Sequence, residues 1–237
     1  MDKKISALIF DLDGTLYDIK GFARRLVFAR PGEAAVILAE RRTRKGLSGC
    51  DYGSAGVYYR EFFSRMSRLI RKPPEDLRAW YFDRYMPRMG RIIRKYCRLR
   101  PGAAELFAGL ARGSFPVAVY SDYPQTAERL AALSPELPAA GVKLYGPEHF
   151  GAQKPAVRPF LTIAADLGAA PEETLVIGDR DGADGAGAAA AGMAYIGIGN
   201  RKQQKKSPYS VMAWEACLAQ LREHRDLQKI LNPWGNP

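Results

Sequence analysis

Two aspartates flank a single leucine at the end of an apolar run in residues 5–16, ISALIFDLDGTL. An apolar run of about four to eight residues closed by turn-formers reads as a buried strand, which puts Asp11 and Asp13 at its carboxyl end. Open α/β sheets bind ligands there. Two carboxylates so close repel unless a cation or a shared proton compensates, and oxygen-only ligands suit Mg2+. Acids recur after another apolar run, where GDRDGADG at residues 178–185 carries Asp179, Asp181 and Asp184. Between these segments lie Ser121 and Asp122, closing the run PVAVY, and Lys154 ahead of Pro155. Only His149 and His224 are present, and Cys50, Cys97 and Cys217 are scattered without CxxC spacing. A histidine triad or a zinc cluster therefore has almost no material, and carboxylate chemistry remains.

The strand running into DLDGTL resembles motif I of the haloacid dehalogenase (HAD) superfamily of hydrolases, and the other three segments follow in the family's order. By that resemblance Asp11 is a nucleophile that takes a phosphoryl group. Asp13 is then the general acid that protonates the leaving oxygen and the base that activates water. Gly14 lets the backbone approach the ligand, while the Thr15 hydroxyl, the Ser121 hydroxyl and the Asp122 N–H are donors for phosphate oxygens. The family more often has asparagine at position 122, and an extra carboxylate there is costly unless it points away or meets a cation. GAQKPAVRPF resembles motif III, with Lys154 neutralising charge shared by the phosphoryl group and Asp11. Arg158 stands where the family commonly has proline. Residues 178–184 match the GDxxxxD form of motif IV. Asp11, Asp13 and Asp179 are the implied Mg2+ ligands, and Asp184 orients a bound water or Lys154; Asp181 remains an alternative for that second acid. Judged singly, Asp13-Gly14 and Ser121 also read as ordinary turns.

The elements that must hold these residues alternate: strands at 5–10, 116–120, 142–145, 174–178 and 194–198, with helices at 101–112, 124–133, 156–167, 182–191 and about 211–231. That order predicts an α/β fold, a Rossmann-like core with a parallel sheet and helices on both faces. The polar stretch at residues 199–208 reads as a mobile loop, and Trp214, Leu218 and Leu221 share one helical face that docks on the core. Residues 19–99 have helical periodicity, with Tyr58, Phe62, Met66 and Leu69 on one stripe and Leu77, Tyr81 and Tyr85 on another. Pro73 and Pro74 separate two helices there, and Pro87 is expected to end or kink the second. The division expected is a catalytic core of residues 1–18 and 100–237 and an inserted all-helical cap of residues 19–99, similar to the family's first cap class (C1), which closes over the core and selects the substrate.

Charge follows the same division. Residues 19–100 carry 21 Lys and Arg against 7 Asp and Glu, whereas the rest of the chain carries 15 against 18. So basic an insertion attracts anionic ligands. Arg24, Arg25, Arg41, Arg42, Arg44 and Lys45 are candidate substrate contacts, with a solvated helix face as the competing reading. The function expected is a Mg2+-dependent phosphatase acting on a small anionic phosphorylated substrate. The alternatives are a phosphomutase of the same family, a nucleic-acid-binding protein, or a nucleic-acid end phosphatase using the basic cap. Within the family, Asp13 argues against the dehalogenase and phosphonatase branches, whose motif I lacks the second acid. No apolar run approaches the roughly 20 residues of a membrane span, no cleavable signal pattern precedes the first strand, and the unpaired cysteines fit a cytoplasmic location. The sequence assigns no oligomeric state.

Overall fold

In the computed structural model, which describes residues 3–137 and 141–231, the apolar run ahead of Asp11 is a strand, β1 (Ala7–Phe10), buried along its whole length. Its side chains alternate with a strand's two-residue period: Leu8 and Phe10 join one apolar cluster, and Ala7 and Ile9 the other. Burial on both faces is what a parallel sheet covered by helices on each side imposes.

The chain leaves β1 for a run of helices, α1 (Phe22–Phe28), α2 (Ala34–Gly46), α3 (Ala55–Ile70), α4 (Pro74–Ala79) and α5 (Met86–Tyr96). It continues through α6 (Ala103–Arg112), β2 (Val117–Tyr120), α7 (Thr126–Leu133), β3 (Lys143–Tyr145), α8 (Pro147–Phe150) and α9 (Val157–Asp166). Then come β4 (Thr174–Gly178), α10 (Ala186–Ala190), β5 (Ala194–Ile198), α11 (Arg201–Gln204), β6 (Ser210–Met212), α12 (Trp214–Glu223) and α13 (Arg225–Leu231). The strands form one sheet in the order β3-β2-β1-β4-β5-β6, every neighbouring pair parallel. The chain builds β2 and β3 on one side of β1 and then crosses to β4, β5 and β6 on the other, so β1 lies at the switch point where such sheets leave a crevice.

The helices between β1 and α6 are held by aromatic packing. Tyr58, Phe62 and Met66 are buried on α3 as their spacing predicts, together with Tyr59 and Phe63. Rings of α3 meet Tyr81 and Phe82 of the following segment at centroid distances of 5.2 to 6.1 Å. Such pairs contribute about 0.5–1.5 kcal/mol each beyond their buried area. Leu69, in the last turn of α3, is exposed. Pro87 does not end its helix: a π-helical stretch, Trp80–Tyr85, precedes α5, and Pro87 sits in the first turn of α5, where a missing N–H costs little.

The carboxyl-terminal region differs from its expectation. Residues 211–231 are not one helix. Val211 is buried opposite Gly197 in β6, and only then do α12 and α13 follow. Three residues of strand at a sheet edge carry too short an alternation to stand out in sequence. The polar stretch at 199–208 contains α11, begun by Asn200, whose side chain accepts from the N–H groups of Lys202 and Gln203. Trp214, Leu218 and Leu221 are buried, as their shared face predicts. No helix among the described residues is long and apolar enough to cross a membrane.

Phe10 stacks obliquely on Phe107 of α6 at 5.1 Å, and both are fully buried, so this pair seats the residue that precedes Asp11. Phe107→Ala is expected to lower stability by about 3–5 kcal/mol, measured by urea denaturation with an unchanged m-value.

Candidate active site

Strand register brings the chemistry together. Phe10 lies opposite Val119 and Ile177; Asp11 follows Phe10 by one residue, and Ser121 and Asp179 follow their paired positions by two. Three adjacent strands therefore deliver their polar ends to one edge. Lys154 arrives from the segment before α9 and is itself buried, its Nζ donating to Asp11 Oδ1 at 2.7 Å, to Asp184 Oδ1 at 2.7 Å and to the Tyr120 carbonyl at 2.8 Å. Asp184, rather than Asp181, is thus the acid that meets the lysine; Asp181 lies 3.4 Å from the Tyr195 hydroxyl. Asp184 also accepts from the Arg180 N–H. Gly14 has a φ of +104°, and a Cβ there would lie 2.1 Å from Asp179 Oδ2. Only glycine lets the first acidic loop pass so close to the later one.

The remaining sequence-picked residues divide into two groups. Thr15 donates to Asp11 Oδ2 at 3.1 Å. Asp13 does not face the cluster that Asp11 shares with Asp179 and Asp184; its carboxylate accepts from Arg129 at 2.6 and 2.7 Å, from Ser121 at 2.8 Å and from Tyr17 at 2.5 Å. Ser121 thus donates to Asp13. The departure at Asp122 meets a cation: its Oδ2 accepts from Arg180 at 2.8 Å and its Oδ1 from the Lys154 N–H at 2.9 Å. Sequence reasoning missed Arg129 and Arg180. A signal existed for Arg129, since it falls on the apolar stripe of α7 with Thr126 and Leu130, a position where an unpaired guanidinium is too costly to bury.

The helical insertion also holds this edge in place. Residues 49–52 and 151–154 exchange backbone hydrogen bonds: Gly49 to the Lys154 carbonyl, Gln153 to Cys50 and Tyr52 to Gly151. Arg44, one of the basic candidates on α2, donates to the Asp122 carbonyl at 2.6 Å and lies over the Tyr123 ring at 3.8 Å. It also pairs with the buried Glu40. Its charge is committed to joining insertion and sheet. Arg24, Arg25, Arg41, Arg42 and Lys45 are exposed, Arg25 lying over the Tyr96 ring at 4.2 Å.

Electrostatics separate the acids. Burial drives the Asp11 carboxyl up to about 6 despite Lys154, with Asp184 adding to the rise. Burial, then Asp11 and Asp184, push Asp179 up to about 8. Burial alone would also raise Asp13, but Arg129 with the Tyr17 and Ser121 hydrogen bonds holds it below the usual carboxylate range. Asp122 is likewise held low, Arg180 and Lys154 outweighing burial. Oxygens of Asp11, Asp179 and Asp184 all lie within 4.8 Å of one another, and Asp179 Oδ1 is buried without a hydrogen-bond partner. Among the described residues, the cations paired with Asp11, Asp13, Asp122, Asp179 and Asp184 are Lys154, Arg129 and Arg180. An all-oxygen set of clustered carboxyls, two of them pushed up by burial and by neighbouring acids, with an oxygen lacking a hydrogen bond, fits a hard divalent cation.

Comparison with known proteins gives a consistent picture. A family model described as haloacid dehalogenase-like hydrolase matches residues 5–192. Phosphonoacetaldehyde hydrolase of Bordetella pertussis is 30% identical over 132 residues, 51% of this chain and 45% of that protein; the protein of that name in Pseudomonas fluorescens is 27% identical over 142 residues, 55% of this chain and 50% of that protein. The chain thus spans about half the length of the curated relatives it matches. Among solved structures, YfnB of Bacillus subtilis, bound to magnesium, superposes with a TM-score of 0.64 at 20% identity, covering 93% of this chain and all (100%) of that one. A hydrolase of Pseudomonas syringae gives 0.63 at 21% identity, covering 93% and 98%. These likenesses are of fold.

Because the folded Asp179 carboxyl titrates near 8, against an ordinary 3.8, the folded state binds more protons than the unfolded one between those values, and its stability falls as pH rises through that window. In chelator-treated protein, Asp179→Asn removes this cost. Its gain in melting temperature is expected to grow from pH 4 to pH 8 and then level off, measured by calorimetry across that range.

Proposed function

This chain belongs to the haloacid dehalogenase-like hydrolase family, and from that premise we propose that it hydrolyses a small phosphorylated metabolite through an aspartyl phosphate on Asp11. The observation that carries this reading is the buried Lys154 ammonium shared by Asp11 and Asp184. It leaves Asp11 fixed at a sheet edge beside a cation able to neutralise an incoming phosphate.

Asp11 attacks phosphorus, its carboxylate oxygen forming the new P–O bond as the ester oxygen departs. Asp13 supplies that oxygen with a proton, then takes one from the water that cleaves the aspartyl phosphate, so inorganic phosphate leaves and Asp11 is regenerated. Arg129 with the Tyr17 and Ser121 hydrogen bonds holds Asp13 low, which favours its base form in the second step; the proton it takes from water there is the one it gives to the next ester oxygen. Thr15 and the Asp122 N–H bind phosphate oxygens, Ser121 being held by Asp13, and Lys154 offsets charge on the transferring group. Asp11 and Asp179 would hold Mg2+, with Asp184 holding Lys154; the Asp13 carboxylate, expected from sequence to join them, is turned to Arg129 instead. Bound there, Mg2+ supplies Lewis-acid stabilisation of the phosphoryl oxygens. In this reading residues 1–18 and 100–237 are the catalytic core, and residues 19–99 are a cap that excludes water and selects the substrate.

The relatives named phosphonoacetaldehyde hydrolase raise a second reading, cleavage of a phosphonate. Asp13 favours the ester, because a departing alkoxide needs a proton donor. A phosphomutase would use the same acids but return an isomeric ester in place of inorganic phosphate.

Screening phosphorylated metabolites alongside phosphonoacetaldehyde is expected to show Mg2+-dependent phosphate release from an ester, lost on chelation and restored by added Mg2+. Asp11→Asn should reduce release to background with the fold intact, judged by circular dichroism. Asp13→Asn should lower alkyl-ester turnover by about 10²- to 10⁴-fold. Release of phosphate from phosphonoacetaldehyde alone would replace the ester reading, and normal release by folded Asp11→Asn would remove Asp11 as nucleophile.

A further inference from the structure

Arg129 is 1% exposed, and every nitrogen of its guanidinium is spoken for. Nη1 reaches both Asp13 oxygens, Nη2 donates to Ser121 Oγ at 2.7 Å and to the Tyr123 carbonyl at 3.0 Å, and Nε donates to the Pro124 carbonyl at 3.1 Å. Ser121 Oγ, which also accepts from the Tyr123 N–H at 3.1 Å, has its one hydrogen committed to Asp13. Tyr17 donates to the other Asp13 oxygen. A carboxylate offers roughly four lone-pair sites, and Arg129, Ser121 and Tyr17 occupy them, so rotation of Asp13 about its side-chain bonds breaks several bonds at once.

On the hydrolase reading given above, we infer that Arg129 is a positioning residue that ties the Asp13 carboxylate and the Ser121 hydroxyl to each other and to the loop after β2, fixing both relative to Asp11. Arg129 does not touch the Asp11–Lys154–Asp184 group itself; it acts through its two partners. Its place also links the site to the insertion. α7, which carries Arg129, packs against α5. Tyr17 forms a bridge to Leu99, so the outgoing and returning links of the insertion meet beside Asp13. Sequence gives Asp13 its chemistry; Arg129 and Tyr17 give it a direction.

An arginine that served only to stabilise the fold would affect all substrates alike. A positioning residue for the proton-transferring acid would not, because a nitrophenolate departs without a proton and an alkoxide does not. Full-length wild type, Arg129→Met, Arg129→Gln, Arg129→Lys and Tyr17→Phe are assayed in saturating Mg2+ with p-nitrophenyl phosphate and a simple alkyl phosphate, after circular dichroism and melting have established folding. In Arg129→Met or Arg129→Gln, whichever folds, the alkyl-to-aryl ratio of kcat/KM is expected to fall by about 30-fold or more. A pre-steady-state burst of nitrophenolate is expected as hydrolysis of the aspartyl phosphate slows. Arg129→Lys should recover about a third of the lost ratio on a logarithmic scale, and Tyr17→Phe should lower it by about fivefold. An unchanged ratio in folded Arg129 and Tyr17 variants overturns the inference, whether both esters lose activity equally or neither does.

Crystal structures of the folded neutral Arg129 variant and of Tyr17→Phe give a reading that needs no turnover. Asp13 in a new rotamer in the Arg129 variant supports the clamp, and Asp13 unmoved in both overturns it. If wild type releases phosphate from neither ester, the phosphatase reading fails, and the crystallographic comparison still decides the clamp.

Discussion

Lys154 carries a full positive charge into a place with almost no water, and much of the surrounding architecture serves to make that tolerable. Removing an ammonium from water costs several kcal/mol even after relaxation. The cost is met only because Asp11, Asp184 and the Tyr120 carbonyl each accept from the same Nζ within 2.8 Å. These partners come from the ends of β1 and β2 and from the acidic turn after β4, three neighbours in the sheet. Displacing any one strand end would leave a buried charge unpaired. Stability of the sheet edge and of the acidic cluster therefore rests on one interaction.

The insertion participates in that constraint. Residues 49–52 hydrogen-bond along the segment that ends at Lys154, and Arg44 reaches across to the Asp122 carbonyl. The basic insertion thus spends one of its arginines on binding the core. The exposed cations of α1 and α5, helices without acids of their own, raise the local concentration of anions. An aromatic interior suits such an insertion, because Tyr58, Phe62, Phe63, Tyr81 and Tyr85 bury large rings in a small unit of short helices.

Asp122 shows how a departure from a family pattern is absorbed. An added carboxylate buried among other acids is costly unless it meets a cation. Here its two oxygens are taken by Arg180 and by the Lys154 N–H, so it acts as an anchor between the loop after β2 and the turn after β4. Arg129 performs the complementary service for Asp13. The two arginines, from α7 and from the acidic turn, take Asp13 and Asp122, Lys154 takes Asp11 and Asp184, and Asp179 keeps an oxygen without a hydrogen bond.

The sequence by itself determined the alternation of strands and helices, the apolar stripes of the insertion and the acids of β1 and β4, because each is a local pattern of period 2 or 3.6 or a short motif at a strand end. Asp11, Lys154 and Asp184 were legible for that reason. Tertiary structure alone decided that Asp13 turns to Arg129, that Asp122 meets Arg180, that Asp184 rather than Asp181 holds the lysine, and that residues 210–212 add a strand. Each of these depends on a partner far away along the chain, Arg129 lying 116 residues from Asp13. Side-chain direction at a charged position is set by which counter-charge the fold brings within hydrogen-bond reach, and no local pattern encodes that.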